Sequence, residues 1–431
     1  MKLRFVLAVT AVLVTLTTSA DHRSLSCSAC WQPVSGAPTV DRILGVNIHF
    51  TEAQPGEMKM IAEAGFHWVR MDFIWALTEP ERGRYDFSAY DRLLSSLDQF
   101  HLRALFILDY GNPLYTEDKA VRTSEARQAF ARWAAAAAKH YSGRGVWWEI
   151  FNEPNNKMFW PPEPAAEEYT ALAIEVGRAF RTQAPEETLI GPATAGIEFK
   201  FLESCFRAGL LEYWDAVSVH PYRQANPESA ASEYARLRQM ISDYRTSGNK
   251  DRVRALPIVS GEWGYSAAWR GLNEEKQAAM LARTLLTNVA NGIPISIWYD
   301  WRDDGSDPNE PEHHFGLVRH EYRGPRSPVY DPKPAYLAGK TLTEQLAGFR
   351  YSERLGIGAD TDYVLVFAKD NQRRLVAWTT SATPHRVFVT GLNGGVSITE
   401  TTGGTHGRVA ATAEGVAIEL STRPVYLTPL N

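Results

Sequence analysis

The chain is expected to fold as an α/β protein, a (β/α)8 TIM barrel followed by a small all-β sandwich, and three observations predict this. From residue 43, short apolar runs alternate eight times with amphipathic stretches at helical spacing. Nearly every run ends in His, Arg, Asp, Asn, Glu, Tyr or Trp, at the end where such barrels carry their polar groups. Beyond about residue 345 the helical stretches stop, and apolar runs are separated by Asn-Gly-Gly or Gly-Gly turns.

Residues 1–20 join a basic head ("MKLR"), an apolar core ("FVLAVTAVLVTL") and a small-residue boundary ("TTSA"). That is the pattern of a secretory signal peptide, with an uncleaved membrane anchor as the rival reading. It predicts export to the periplasm or the extracellular space, with peripheral association with the cell envelope as a further option. No later segment has the roughly 20 apolar residues that a bilayer span needs. Residues 21–42 read as a linker. Its "CSAC", Cys27 and Cys30, is a structural bridge or without function, because a redox pair would open a helix beside a strand.

The eight strand candidates are "ILGVNIHF", "HWVRMDF", "RALFILDYG", "VWWEIFNEP", "TLIGPATAG", "AVSVHPY", "PIVSGEWGYS" and "ISIWYDW". Each is almost continuously apolar, as strands buried on both faces are. Between the third and fourth, Ser124 is an N-cap candidate for a helix whose apolar face is Phe130, Trp133, Ala134, Ala137 and Tyr141, with Lys139 and His140 near its end and Gly143 as its stop. No Gly-rich phosphate loop follows the first strand, which argues against a dinucleotide fold. In the C-terminal segment, "YVLVFAK", "RLVAWTT", "RVFVTGL", "VSITE", "VAIELS" and "PVYLTPL" read as six strands. The segment's role is packing against the barrel, or sugar binding through its one tryptophan, Trp378.

With 44% hydrophobic and 22% charged residues and a net charge of −5, the chain suits a folded soluble protein. Its scattered basic residues give no reason to expect nucleic acid. "RDDGSDPNE" lacks the register of an EF-hand calcium loop, and the adjacent histidines of "EHHFG" cannot share one side of a regular element. No metal and no cofactor is expected.

The chemistry is expected in two carboxylates. Glu153 ends the fourth run in "NEP" and Glu262 ends the seventh in "GEW"; barrel closure can bring both to one mouth. Each interrupts an apolar segment, where a charge is costly unless it is used. A pair of facing carboxyl groups suits glycoside hydrolysis, one as acid and one ionised, with their separation setting retention or inversion. Asn152 is placed to reach a sugar 2-OH, and Trp263, Trp298, Trp301, Trp160 and Trp75 offer flat faces for sugar rings.

"HWVRMDFIW", "LDYGNPLY", "EIFNEPN", "VSVHPY", "VSGEWGY" and "WYDWRDDGSDPNEPEHHFGLV" together resemble the retaining glycosidase clan built on (β/α)8 barrels. The finer pattern is similar to glycoside hydrolase family 39, and within it to bacterial Psl-type exopolysaccharide endoglycosidases. The resemblance covers about residues 43–340. It implies a catalytic barrel over 43–344 and an oligo- or polysaccharide substrate, and it extends more loosely to the β-sandwich domain read over 345–431. It further implies Glu153 as general acid/base, Glu262 as nucleophile, Asn152 beside the nucleophile, and Arg70 orienting Glu262. His220 and Tyr222 would belong to the site, Trp298 would floor the cleaved sugar's subsite, and Asp109 and Asn112, with His49 less so, would line the cavity. The expected activity is endo-hydrolysis of a bacterial exopolysaccharide. The alternatives are an exo-acting β-xylosidase-like enzyme and a non-catalytic polysaccharide-binding or biosynthesis protein.

Overall fold

The computed structural model describes residues 38–244 and 256–430, which lie in one compact unit, Gln32–Asn431. The expected signal peptide, most of the linker and the Cys27/Cys30 pair lie outside the described residues.

Eight parallel strands close into a barrel: β1 (Leu44–Asn47), β2 (Trp68–Ile74), β3 (Arg103–Asp109), β4 (Trp147–Ile150), β5 (Thr188–Ala195), β6 (Ala216–His220), β7 (Ile258–Trp263) and β8 (Ser296–Trp298). All eight apolar runs contribute a strand, and each strand is followed by a helix before the next element. The ring is shut by β8 against β1, with Ile297 opposite Gly45. Glycine is required at that point. A Cβ on Gly45 would stand 2.4 Å from Ile297 Cδ1 and 2.6 Å from Trp68 Cβ.

Side chains alternate between the barrel interior and the helical layer. Trp68, Leu105, Ile190, Ala216, Val259 and Ile297 fill the interior, with Trp147 packed on them. Two residues further along their strands the same inward phase carries Arg70, Ile107, Glu149, Ser218 and Gly261, so the polar site stands directly on an apolar plug. The helix Ser124–His140 buries Phe130, Trp133, Ala134 and Ala137 as expected. Its cap is Thr123, whose side chain accepts from the Ala126 N–H at 3.1 Å. Ser124, expected as the cap, is the first helical residue, so the cap falls one residue earlier than expected.

Eight further strands follow the barrel, two more than the six apolar runs. They are β9 (Arg350–Arg354), β10 (Asp362–Lys369), β11 (Gln372–Thr379), β12 (His385–Val389), β13 (Val396–Thr399), β14 (Thr405–Val409), β15 (Val416–Leu420) and β16 (Val425–Pro429). The six-stranded sheet runs β14-β13-β16-β11-β10-β9, and β12 pairs with β15. The two strands without an apolar run, β9 and β14, are the two edges of the larger sheet. Edge strands carry polar residues that discourage further pairing, which removes the signal on which the sequence reading relied.

Trp378 on β11 is fully buried, so it offers no sugar platform. It stacks on Tyr363 with centroids 4.9 Å apart. Its indole N–H donates to Glu228 Oε1 at 2.6 Å, and Glu228 also accepts from Arg283 Nε and Nη2, each at 2.7 Å. This buried pair ties β11 to the helix Glu274–Ala290. Glu228→Ala would strand a buried guanidinium, and is expected to cost about 3–5 kcal/mol. Thermal unfolding should show a clearly lowered midpoint; an unchanged midpoint would mean that the network holds nothing together.

Candidate active site

Arg70 lies inside the barrel, 1% exposed, and binds across it. Its Nε and Nη2 reach Glu149 Oε2 at 2.8 and 2.7 Å. Nη1 donates to Glu262 Oε2 at 2.6 Å and to Asn47 Oδ1 at 3.2 Å. Nη2 donates to Asn152 Oδ1 at 2.9 Å and meets His220 Nε2 at 3.2 Å. Burial opposes the charge, but Glu149 and Glu262 outweigh it and hold the guanidinium even more firmly protonated than usual.

Glu149 is one of the residues that sequence reading missed. It is fully buried, with Ser218 Oγ donating to its other oxygen. Gly261 leaves space for it, since a Cβ there would stand 2.8 Å from Glu149 Oε1. Its signal was available: an acid at the inward phase of β4 needs a cation inside the barrel, and Arg70 supplies one at the inward phase of β2.

Glu153 follows β4 in the left-handed region, with φ 45°. A non-glycine residue holds that conformation only where its surroundings impose it. Here the Glu153 N–H donates to Ala193 O at 3.0 Å. Asn155 clamps the loop onto β5, donating to Ala195 O at 3.0 Å and accepting from the Ala195 N–H at 2.8 Å. The carboxylate accepts from Asn156 Nδ2 at 3.1 Å and meets His220 Nδ1 at 3.0 Å. Because Arg70 can only donate, His220 Nε2 must accept, which leaves the ring proton on Nδ1, directed at Glu153. Burial pushes the Glu153 carboxyl up, yet the His220 hydrogen bond, the Asn156 amide and Arg70 together hold it below its ordinary value.

Glu262 is turned into the cavity where the pairing of β7 with β8 shifts register between Ser260 and Trp263. Tyr222 donates to its Oε1 at 2.9 Å, so Glu262 takes one donor on each oxygen. Burial first, then the Glu262 charge, raises the Tyr222 phenol and keeps it a donor. A carboxylate oxygen of Glu153, one of Glu262 and a His220 nitrogen all lie within 4.8 Å of one another.

Of the expected residues, Glu153, Glu262, Arg70, Asn152 and Tyr222 line a cavity of about 560 Å³, and His220 supports it from behind. Three do not reach it. Trp298 is fully buried, with its indole N–H on Phe315 O at 3.3 Å, while the next residue, Tyr299, stands in the wall with Trp269 and Phe315. Asp109 is fully buried behind the wall, which Asp72 faces instead. Asn112 holds its own loop, donating to Glu79 O at 3.0 Å and accepting from the Leu114 N–H at 2.9 Å. The tryptophans offered as sugar platforms (Trp75, Trp160, Trp263 and Trp301, besides Trp298) are all at most 1% exposed. These five indoles are consumed by packing, and Trp269 with tyrosines and phenylalanines lines the opening.

His49 does line the cavity, with Nε2 3.4 Å from Asp300 Oδ2. Burial lowers its pKa, but Asp300 outweighs burial and pushes it up to about 9. Besides the Glu153–His220–Glu262 group, His49, Asp300 and Asp304 bring three ligand atoms within 4.8 Å of one another among the described residues. His313 and His314 instead bind the backbone of Asp307, at 3.2 and 2.8 Å.

A parallel barrel with paired glutamates at the ends of its fourth and seventh strands defines a glycoside hydrolase. Residues 35–305 match the cellulase (glycosyl hydrolase family 5) model, and the chain belongs to that family. Its fold is similar to a family 39 glycoside hydrolase from Bacteroides cellulosilyticus WH2, at 24% identity and a TM-score of 0.75, over 91% of this chain and 82% of that one. It is also similar to a family 39 β-xylosidase from Caulobacter crescentus (16% identity, TM-score 0.65, 93% and 98% covered). A family 30 endoxylanase from Clostridium papyrosolvens C71 shares 12% identity and a TM-score of 0.63, with 92% and 97% covered. No curated protein matches the chain in sequence. The clan expected from the sequence motifs is therefore the right one, with a family 5 sequence model and family 39 and 30 folds among its likenesses.

Glu149→Leu removes the partner that Arg70 holds most closely by charge, leaving a buried cation short of an anion. A loss of about 3–5 kcal/mol is expected. Denaturant titration should show a lower midpoint with an unchanged slope, whereas a wild-type midpoint would show that Glu262 alone suffices for Arg70.

Proposed function

We propose that this glycoside hydrolase is a retaining β-glycosidase that cuts within chains of a bacterial exopolysaccharide. The observation that carries the mechanism is the carboxylate oxygens of Glu153 and Glu262 within 4.8 Å of each other. That spacing suits direct attack rather than an intervening water, which needs carboxyl groups roughly 6.5–9.5 Å apart.

In this reading Glu262, oriented by Arg70 and Tyr222, attacks the anomeric carbon and forms a glycosyl ester. Glu153 gives its proton to the departing oxygen. Glu153 then takes a proton from water, which displaces Glu262 and restores the original configuration. Asn152, fixed by Arg70, faces the cavity beside both acids as the group for the sugar 2-OH. The likeness to a β-xylosidase fold keeps an exo-acting reading open as the second one. Release of monosaccharides alone from a polymer, with no fall in its size, would favour it.

Because His220 and Asn156 hold Glu153 below its ordinary value, its acid form is confined to low pH, and kcat/KM should fall as pH rises through that range. The two donors on Glu153 outweigh its burial, which alone would raise it. His220→Phe removes one donor and leaves burial in command. The descending limb of kcat/KM should then move to higher pH; a limb that stays in place would show that His220 does not set Glu153.

The two glutamates should separate with azide. Glu153→Ala should be severe on substrates with poor leaving groups and milder on activated aryl β-glycosides, and azide should yield a β-glycosyl azide. Glu262→Ala should fail on both substrate types and give the α-azide, because azide then attacks where the carboxylate did. NMR assignment of the anomer decides. Reversed anomers would exchange the roles, and near-wild-type activity in both variants would remove the pair from catalysis.

A further inference from the structure

Two residues beyond Arg70 on β2, the same inward phase brings Asp72 to the cavity wall. The β2–β3 register sets Asp72 opposite Ile107 and Ile74 opposite Asp109, so the two acids are diagonal neighbours. Asp109 is fully buried, and neither of its oxygens meets a donor among the described residues. The group in hydrogen-bond contact with it is the Asp72 carboxyl. Two carboxyl groups in contact cannot both be ionised without a large cost, and the buried one is the one to keep a proton. Burial, and then the charge of Asp72, hold Asp109 well above the ordinary carboxyl range. Asp109 therefore donates to Asp72 and fixes its orientation. One lone pair of Asp72 is used in this way, and its remaining acceptor positions face the cavity.

We propose that Asp72, positioned by Asp109, is a specificity-determining residue that accepts hydrogen bonds from adjacent hydroxyl groups of a glycosyl unit. The inference rests on the glycosidase reading above. A hydroxyl pair suits this carboxylate, because its free acceptor positions face the cavity and each sugar hydroxyl brings one hydrogen to donate. Asp72 is then a binding residue and Asp109 a positioning one. Neither was assigned these roles by the strand-end pattern, which placed Asp109 in the wall and passed over Asp72.

The experiment uses the full chain and a series of aryl β-glycosides: a parent sugar that the wild type hydrolyses and its monodeoxy analogues. Hydrogen bonds to a charged group support a loss of about 10–100-fold in kcat/KM for Asp72→Asn on the parent sugar. On one monodeoxy analogue, already lacking the hydroxyl concerned, the same substitution should cost almost nothing. Asp109→Leu should reproduce this selective loss, and Asp109→Asn, which keeps a donor toward Asp72, should restore much of it. A general structural defect would lower parent and deoxy substrates alike, and that result would overturn the proposal. So would an equal rate for Asp72→Asn and wild type on the parent sugar. Glu262→Ala, assayed alongside, separates the two levels. If it retains activity the glycosidase reading fails, and if it is inactive while Asp72→Asn is unimpaired only the present inference fails.

Discussion

A guanidinium sealed inside the barrel is the constraint on which the site depends. Arg70 is almost wholly removed from water, and a charge so placed is tolerated only when paired and fully hydrogen-bonded. Its partners come from β1, β2's neighbours across the ring, and the ends of β4, β6 and β7: Asn47, Glu149, Asn152, His220 and Glu262. No open sheet could bring those strands to one cation. Closing the barrel and assembling the site are therefore the same event, and the apolar plug beneath supplies the water exclusion that makes each of these bonds strong.

The network also makes two like residues unlike. Glu262 touches Arg70 directly and takes a second donor from Tyr222, an arrangement that suits an ionised group. Glu153 reaches Arg70 only through the His220 ring, which passes its hydrogen-bond polarity from one ring nitrogen to the other. Its backbone is held at positive φ by bonds to β5, so the aim of the side chain is set by a neighbouring strand rather than by its own. Chemical identity is the same in both positions; environment assigns different duties.

Most of the described tryptophans serve the scaffold. Trp75, Trp160, Trp263, Trp298, Trp301 and Trp378 are all at most 1% exposed, and Trp75, Trp160, Trp301 and Trp378 place their indole N–H on buried glutamates or on Glu168. An indole buries more apolar area than any other side chain and still needs one hydrogen bond, so a glutamate beside it satisfies both groups at once. What remains for the cavity is Trp269 with tyrosines and phenylalanines, whose smaller faces still pack against sugar C–H groups.

The sequence by itself pointed to the barrel: strands buried on both faces must be continuously apolar, and the polar run ends, with no Gly-rich loop after the first, set a barrel above a doubly wound sheet. It also determined Glu153 and Glu262, since an acid closing an apolar run stands out against its surroundings. Arg70, His220 and Tyr222 were legible through the motifs around them. Tertiary structure alone decided the rest. Which strand-end residue reaches the cavity is decided by packing: Trp298 follows the inward Ile297 and turns to the helical layer, leaving Tyr299 in the wall, and of the neighbours Asp72 and Asp109 only Asp72 reaches the cavity. Glu149 was hidden for a related reason: inside a strand, a buried acid has meaning only beside its cation, and that cation comes from a strand 79 residues away. The polar edge strands β9 and β14 were invisible because pairing, not hydrophobicity, holds them. Patterns along the chain report burial, whereas partners are chosen in space.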